Sequence, residues 1–151
     1  MDRVSIYLVR AGLLWLVTGF SLGALMLSDA LVPGDWRLWF APTHGHILFV
    51  GWFLQFAVGV GYWLLPRKRT PEQPEGYRVS TAFLAFGMLN AGLLLRVIVE
   101  PLERTGRDAT GLDITLAVSS VLQLAAIVII ATQIWKRILP RKRRAQGVDG
   151  G

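Results

Sequence analysis

Residues Leu38 to Pro66 read LWFAPTHGHILFVGWFLQFAVGVGYWLLP, a run of 29 residues without Asp, Glu, Lys or Arg. A helix that crosses a bilayer needs about 20 mainly apolar residues, so this run is long enough to span a membrane. It lacks the alternation of polar and apolar faces, at a period near 3.6, that a helix of a water-soluble bundle carries. The run therefore predicts a transmembrane helix.

Three further runs without charged residues have 18, 17 and 22 residues, and they are Ala11 to Ser28, Val79 to Leu95 and Ile114 to Trp135. The first is too long for the apolar region of a signal peptide, and no small-x-small cleavage site follows it. We therefore expect an all-α integral membrane protein, with one four-helix domain over residues 1–139. The predicted spans are about 6–28, 43–66, 79–99 and 114–135.

The composition supports this fold class and excludes several chemistries. Hydrophobic residues make up 53% of the chain and charged residues 17%, against about 25% charged in an average soluble domain. The mean hydropathy is +0.47. Cysteine is absent, which excludes disulfides, thiolate metal sites, covalently attached haem and a cysteine nucleophile. Neither a nucleotide-binding glycine motif nor an H-E-x-x-H zinc motif occurs.

The distribution of Lys and Arg predicts the orientation. The N-terminus, the 67–78 segment and the C-terminus together carry 12 of the 16 basic residues, whereas the two opposite connections carry three. By the positive-inside rule, we expect both termini to be cytoplasmic, in a bacterial inner membrane. We expect the basic segment 140–151, RKRRAQGVDGG after Pro140, to be a disordered cytoplasmic tail that contacts anionic lipid and no nucleic acid.

Both histidines of the chain, His44 and His46, lie at the predicted outer end of the second span. Ionisable residues in a span are costly and are usually functional, and histidine is a common ligand of metals and haem. The competing interpretation is that lipid headgroups simply hydrate both rings. In a regular helix the two rings point about 200° apart, so they share one metal only if this stretch is extended and the helix begins after His46.

Arg96 is predicted to lie near the outer end of the third span, at a depth similar to that of the histidines. A guanidinium there can hold a carboxylate, such as a haem propionate, through paired hydrogen bonds. Alternatively, Arg96 extends to the outer headgroups. Arg37 and Trp39, in the preceding connection, are candidates to cover the same position. No carboxylate is predicted within a span, since Glu100 is expected at a span end, which argues against a proton-coupled exporter.

Small and polar residues form recognisable faces on the predicted helices. His44, Gly51, Gln55 and Gly59 are spaced by 7, 4 and 4 residues, so they share one stripe that admits a flat partner, either a porphyrin or another helix.

Other residues are candidates for helix packing. Gln55, Asn90 and Gln123 lie near mid-span and are expected to hydrogen-bond one another, or to form a proton or quinone path. Gly19-x-x-x-Gly23 favours helix packing, within the chain or in a homodimer.

The segment APTHGHILFVGWFLQFAVGVGYWLLPR, residues 41–67, resembles helix II of subunit I of the haem-copper oxidases. The resemblance rests on a histidine near the outer side and on a glycine-rich ending, here GVGYWLLP over residues 59–66. It covers about residues 40–67, is faint over 79–100, and also fits small four-helix proteins described as oxidase subunit I-like. It implies that His44, or as second choice His46, is an axial ligand of a low-spin haem.

The chain departs from that family in ways that limit its chemistry. The resemblance implies about twelve spans and six histidines for a complete oxidase subunit, whereas this chain has four predicted spans and two histidines. We therefore do not expect the chain to reduce oxygen alone, and no catalytic residue is predicted.

The leading hypothesis is a haem b-binding protein for electron transfer or haem handling in a respiratory membrane. It acts as a homodimer or within a larger complex. Its predicted binding residues are His44, His46, Arg96, Gly51 and Gln55. The alternatives are a cofactor-free accessory or assembly subunit and a metal-binding membrane protein with a site at the two histidines.

The topology can be tested with reporter fusions after Gly151. Because of the asymmetry of basic residues, a reporter that is active only in the cytoplasm should be active there. Activity of a reporter that works only in the periplasm would contradict the predicted orientation, and with it the outer placement of the histidines.

Overall fold

The structure is a computed structural model that describes residues 1–28, 31, 34–67, 69–106 and 110–138. The predicted tail at 140–151 lies outside these residues. The described part is helical, without a β-strand beyond an isolated bridge between Thr70 and Gln73. It contains four helices that are long and apolar enough to span a membrane. They are α1 (Arg3–Leu27), α2 (Trp36–Leu64), α3 (Val79–Arg104) and α4 (Thr110–Trp135).

The helices run alternately up and down, so the bundle has two distinct ends. We call the end that carries residues 1–2, 65–67, 69–78 and 136–138 the terminal end, and the opposite end the histidine end. Helix α2 packs against both α1 and α3, and α3 packs against α4. The core lies between these pairs and includes the buried residues Leu8, Tyr62, Leu89 and Ala126.

Local sequence signals account for the helix boundaries. The Asp2 carboxylate accepts a hydrogen bond of 2.8 Å from the Ser5 amide, which caps the first turn of α1. Helix α2 stops at Leu64 because Leu65 precedes Pro66 and is extended, with ψ 145°. Gly76 and Gly106 adopt positive φ values of 75° and 76°, before α3 and after it, where a glycine meets no steric penalty.

Helix α2 begins at Trp36 and is not uniform along its length. Residues Trp36–His46 are α-helical, Ile47–Leu54 form a π-helix, and Gln55–Leu64 return to the α-helical form. Such π-helical segments are rare and occur frequently at functional sites. The segment separates the histidines from the glycine-rich end of the helix.

Glycines bring α1 and α2 into close contact. A Cβ atom built at Gly59 would lie 2.9 Å from Cγ2 of Val9 and 3.2 Å from the carbonyl oxygen of Ser5, both on α1. A Cβ atom at Gly12 would lie 3.2 Å from the carbonyl oxygen of Trp52 on α2. These backbones approach so closely because no side chain separates them, as small residues permit in membrane helices.

The terminal end is joined by buried polar contacts. Arg67 donates to Asp2 at 2.7 Å and to Glu75 at 3.0 Å. Burial would raise the pKa of Asp2, but the hydrogen bonds from Ser5 and the charge of Arg67 outweigh it and hold that pKa below its usual range. Arg137 is 1% exposed and donates to the carbonyl oxygens of Tyr62 at 2.8 Å and Pro66 at 3.1 Å. It therefore satisfies carbonyls that the end of α2 leaves unpaired.

A matched pair of glycine substitutions tests the close contact between α1 and α2. Gly59→Ala should lower the free energy of unfolding by about 1–3 kcal/mol, because the methyl group overfills the contact. Gly87→Ala is the control, since a Cβ atom at Gly87 meets nothing within 4 Å, and it should raise stability by up to about 1 kcal/mol. Unfolding in mixed micelles measures both, and equal stabilities of the two variants would contradict the packing.

Candidate site at the histidine end

The two histidines lie two residues apart on the α-helical first part of α2, and they contact different neighbours. His44 contacts α1, at Gly19 and Gly23, whereas His46 contacts α3, at Arg96 and Glu100. This separation agrees with the 200° expected for an H-x-H pair in a helix. A metal site shared by both histidines would require residues 44–46 to be extended, but this segment is α-helical.

His44 is held in a defined orientation by the backbone of α1. Its Nδ1 lies 3.0 Å from the carbonyl oxygen of Gly19. Because a carbonyl oxygen only accepts hydrogen bonds, Nδ1 carries a proton, and in the neutral ring Nε2 then keeps its lone pair. The ring also lies against Gly23, where a Cβ atom would come within 2.8 Å of Cε1. The two glycines thus form a socket for one imidazole.

The half-buried ring of His44 lines a cavity of about 630 Å³ between α1 and α2. Most of its lining is apolar, including Phe20, Ala24, Met26 and Leu48. In the described part of the chain, Nε2 of His44 has no hydrogen-bond partner. The cavity, which we call the His44 pocket, therefore combines apolar walls with one histidine nitrogen able to act as a ligand.

Arg37 is the basic residue in the lining of the His44 pocket. Its side chain lines the cavity, and its Nε donates a hydrogen bond of 2.7 Å to the carbonyl oxygen of Met26. This bond fixes the start of α2 to the end of α1 beside the histidine. The sequence indicated Arg37 as a candidate to cover the histidines, and the structure places it in the same cavity lining as His44.

His46 uses both ring nitrogens within the protein. Its Nε2 accepts from Nη1 of Arg96 at 3.1 Å, so Nδ1 carries the proton and donates to the carbonyl oxygen of Pro42 at 3.0 Å. Nδ1 is also 3.3 Å from the Glu100 carboxylate. In this arrangement neither nitrogen is open to a metal.

Arg96 lies in the same polar network and not in the His44 pocket. Besides His46, it donates to the Ser120 hydroxyl of α4, and its Nη1 is 3.9 Å from the Glu100 carboxylate. The structure thus brings Arg96 together with His46, as the sequence predicted from their similar depth, but separates it from His44.

Glu100 is the residue that sequence reasoning underestimated. It is 7% exposed, and its carboxylate accepts from the buried Thr43 hydroxyl at 2.9 Å. The sequence placed Glu100 at the end of a span that stops at 99, but α3 continues to Arg104. Its interaction with Arg96 could have been predicted from the sequence, because a spacing of four residues places the two opposite charges on one helix face.

Gln55 and Gly51 face the interior of the bundle. Gln55 and Asn90 exchange two hydrogen bonds, of 3.1 and 3.0 Å, and the Trp15 indole donates to Asn90 at 2.9 Å. Gln123 is not part of this group, because it donates to Ser119. The hydrogen-bonded group therefore consists of Gln55, Asn90 and Trp15, with Trp15 in the place expected for Gln123.

Protein atoms fill the small-residue stripe of α2. A Cβ atom at Gly51 would lie 2.8 Å from the Trp15 ring and 2.9 Å from Leu93. Of the two partners expected for this stripe, a porphyrin or another helix, the structure places helix α1 there, with α3 beside it. Gly19 and Gly23 likewise pack within the chain, against Leu48 and His44.

Within the described residues, no group of three or more His, Cys, Asp or Glu side chains is arranged to hold a metal ion. Haem iron needs fewer than three protein ligands, so the lack of such a group does not bear on haem binding in the His44 pocket. No family model, curated protein or solved structure matches the chain.

Proposed function

We propose that the protein binds haem b non-covalently in the bacterial inner membrane, with His44 as an axial ligand, and serves electron transfer or haem handling. The observation that carries the proposal is the state of His44. Its Nδ1 proton is directed to the Gly19 carbonyl, and its Nε2 has no partner in the described residues while the ring lines an apolar cavity. Metal-ligating histidines commonly have this backbone hydrogen bond on the other nitrogen.

The His44 pocket fits the chemical character of the group. Its volume of about 630 Å³ lies within the range of about 300–1,000 Å³ that is typical of ligand pockets. Apolar walls suit a porphyrin face, and the guanidinium of Arg37 suits a propionate carboxylate. Without cysteine in the chain, the attachment is non-covalent.

The protein's own residues would position the group and exclude water from it. Haem supplies the one-electron chemistry when bound. The Gly19 carbonyl would hold the imidazole in its ligating tautomer, and Gly23 would keep the space that the ring needs. Phe20 and Leu48 would form dry walls, which influence the reduction potential.

In this proposal Arg37 takes the role that the sequence first suggested for Arg96, because Arg37 lines the His44 pocket and Arg96 does not. Arg96 is occupied by His46, Ser120 and Glu100, so it supports the site from the other face of α2. His46, with both nitrogens bonded, is a positioning residue in this proposal and not a second ligand.

The second axial position needs a separate source. The chain has two histidines and His46 is engaged, so a second imidazole comes from another chain, such as the His44 of a second copy. A homodimer that shares one haem satisfies this requirement. Met26, which lines the same pocket, offers a thioether as the alternative ligand within one chain.

A cofactor-free accessory or assembly subunit is the second candidate function. The observation that favours it is the filling of the stripe at Gly51 and Gly59 by side chains of neighbouring helices. In that case the resemblance to oxidase helix II reflects helix packing alone, and the His44 pocket holds lipid.

Substitutions of the two histidines distinguish these functions. His44→Ala should abolish a low-spin haem spectrum, whereas His46→Ala should retain the haem with altered affinity. Arg37→Gln should weaken binding by about ten- to hundredfold, because a hydrogen bond to a charged group contributes about 1.5–3 kcal/mol. The measurement is the absorption spectrum of purified protein after expression with added haem.

Gly23→Ala and Gly45→Ala form a matched pair for the same measurement. The added methyl group at Gly23 would displace the His44 ring, whereas Gly45 has open space around it, so only the first should weaken haem binding. Circular dichroism must show each variant folded. Loss of the spectrum in His46→Ala but not in His44→Ala would reverse the ligand assignment.

A further inference from the structure

A second cavity, of about 510 Å³, lies at the terminal end between the start of α3 and the end of α4. Two basic residues, Arg78 just before α3 and Lys136 just after α4, line it together with Thr81, Thr132 and Gln133. We call it the Arg78–Lys136 pocket. It has no part in the proposed haem site, which lies at the opposite end of the bundle.

The charges of this pocket are not neutralised by the described part of the chain. Arg78 and Lys136 are exposed, and neither forms an ion pair with a described residue. By contrast, Arg67 at the same end pairs with two carboxylates. Two positive charges on one cavity, with hydroxyl and amide groups between them, favour an anionic ligand with several oxygen acceptors.

The surroundings of the pocket indicate where this anion comes from. Trp135, next to Lys136, is 78% exposed, and exposed tryptophans prefer the interface between lipid and water. Ile129 forms part of the wall, and beyond it α3 and α4 expose Leu84 and Val128 at 57% and 53%. A polar pocket continuous with an apolar surface suits a phosphate that carries acyl chains.

We propose that the Arg78–Lys136 pocket binds the headgroup of an anionic phospholipid, with its acyl chains along α3 and α4. The phosphate lies between the two basic side chains, and the hydroxyl of Thr81 donates to one of its oxygens. The bound lipid bridges two helices that the chain joins only at their other end. The proposal depends on insertion of the four helices in a bilayer, but it does not depend on haem.

The test compares lipid binding by two double variants of the full chain. Arg78→Gln/Lys136→Gln removes both charges of the pocket. Arg3→Gln/Arg69→Gln removes two charges at the same end from exposed residues that do not line the pocket. Native mass spectrometry of detergent-purified protein, titrated with phosphatidylglycerol or phosphatidylcholine, gives the affinity of each for one lipid.

Wild type and the control variant should prefer phosphatidylglycerol, and the pocket variant should lose about tenfold or more in that affinity, because it loses charge-assisted hydrogen bonds to the phosphate. Equal losses in the two variants would overturn the proposal, because they would indicate diffuse attraction. Absence of a preference in wild type would also overturn it. Displacement of the lipid by inorganic phosphate would show a site for a soluble anion instead.

A melting curve of each variant in detergent shows whether it is folded. If Arg78→Gln/Lys136→Gln is unfolded, Lys136→Gln alone is compared with Arg69→Gln, and the same expectations apply. If Lys136→Gln keeps the preference for phosphatidylglycerol as fully as Arg69→Gln does, the proposed site is wrong.

Discussion

The close contact of α1 with α2 determines the geometry of the His44 pocket at the histidine end. Glycines on α1 let the ring of His44 lie against that helix, within 3.0 Å of the Gly19 carbonyl. At the other end, Gly59 of α2 provides the reciprocal contact with α1. If the helices stood farther apart, Nδ1 would lose its acceptor, and the tautomer that leaves Nε2 able to bind a metal would no longer be specified. The packing of two helices thus determines the chemistry of one side chain.

Several polar residues of the bundle pair with one another in separate layers. Near the histidine end, His46, Arg96, Glu100 and Thr43 satisfy one another, and near the middle Gln55 pairs with Asn90. Such pairing is required where water is absent, since a buried polar group without a partner costs free energy. Nε2 of His44, like the buried Nε of Arg96, has no partner among the described residues, and the ring of His44 lines the His44 pocket. Two histidines of one short motif therefore take different roles, one structural and one available to a ligand.

The sequence predicted the architecture better than the site. Runs without charge are long enough to indicate four helices, because lipid tolerates so few charged residues. The spacing of the H-x-H motif correctly predicted that the two histidine rings point in different directions. The similar depth of Gln55 and Asn90 correctly predicted that they hydrogen-bond each other. The sequence did not predict the π-helical segment, nor that Arg37 and not Arg96 lies beside His44. Both depend on how the start of α2 packs against α1. The sequence placed Glu100 at a span end because the predicted span stops at 99, whereas α3 extends past Pro101 to Arg104.

The haem content of the purified wild-type protein tests the central claim most directly. The pyridine haemochrome spectrum identifies the haem type, and a quantitative amino-acid analysis gives the amount of protein. If His44 ligates haem across a homodimer, the account predicts haem b at about one group per two chains, and about one per chain if Met26 supplies the second ligand. Protein that contains no haem, although folded and produced with sufficient haem, would contradict the account and favour the accessory-subunit function.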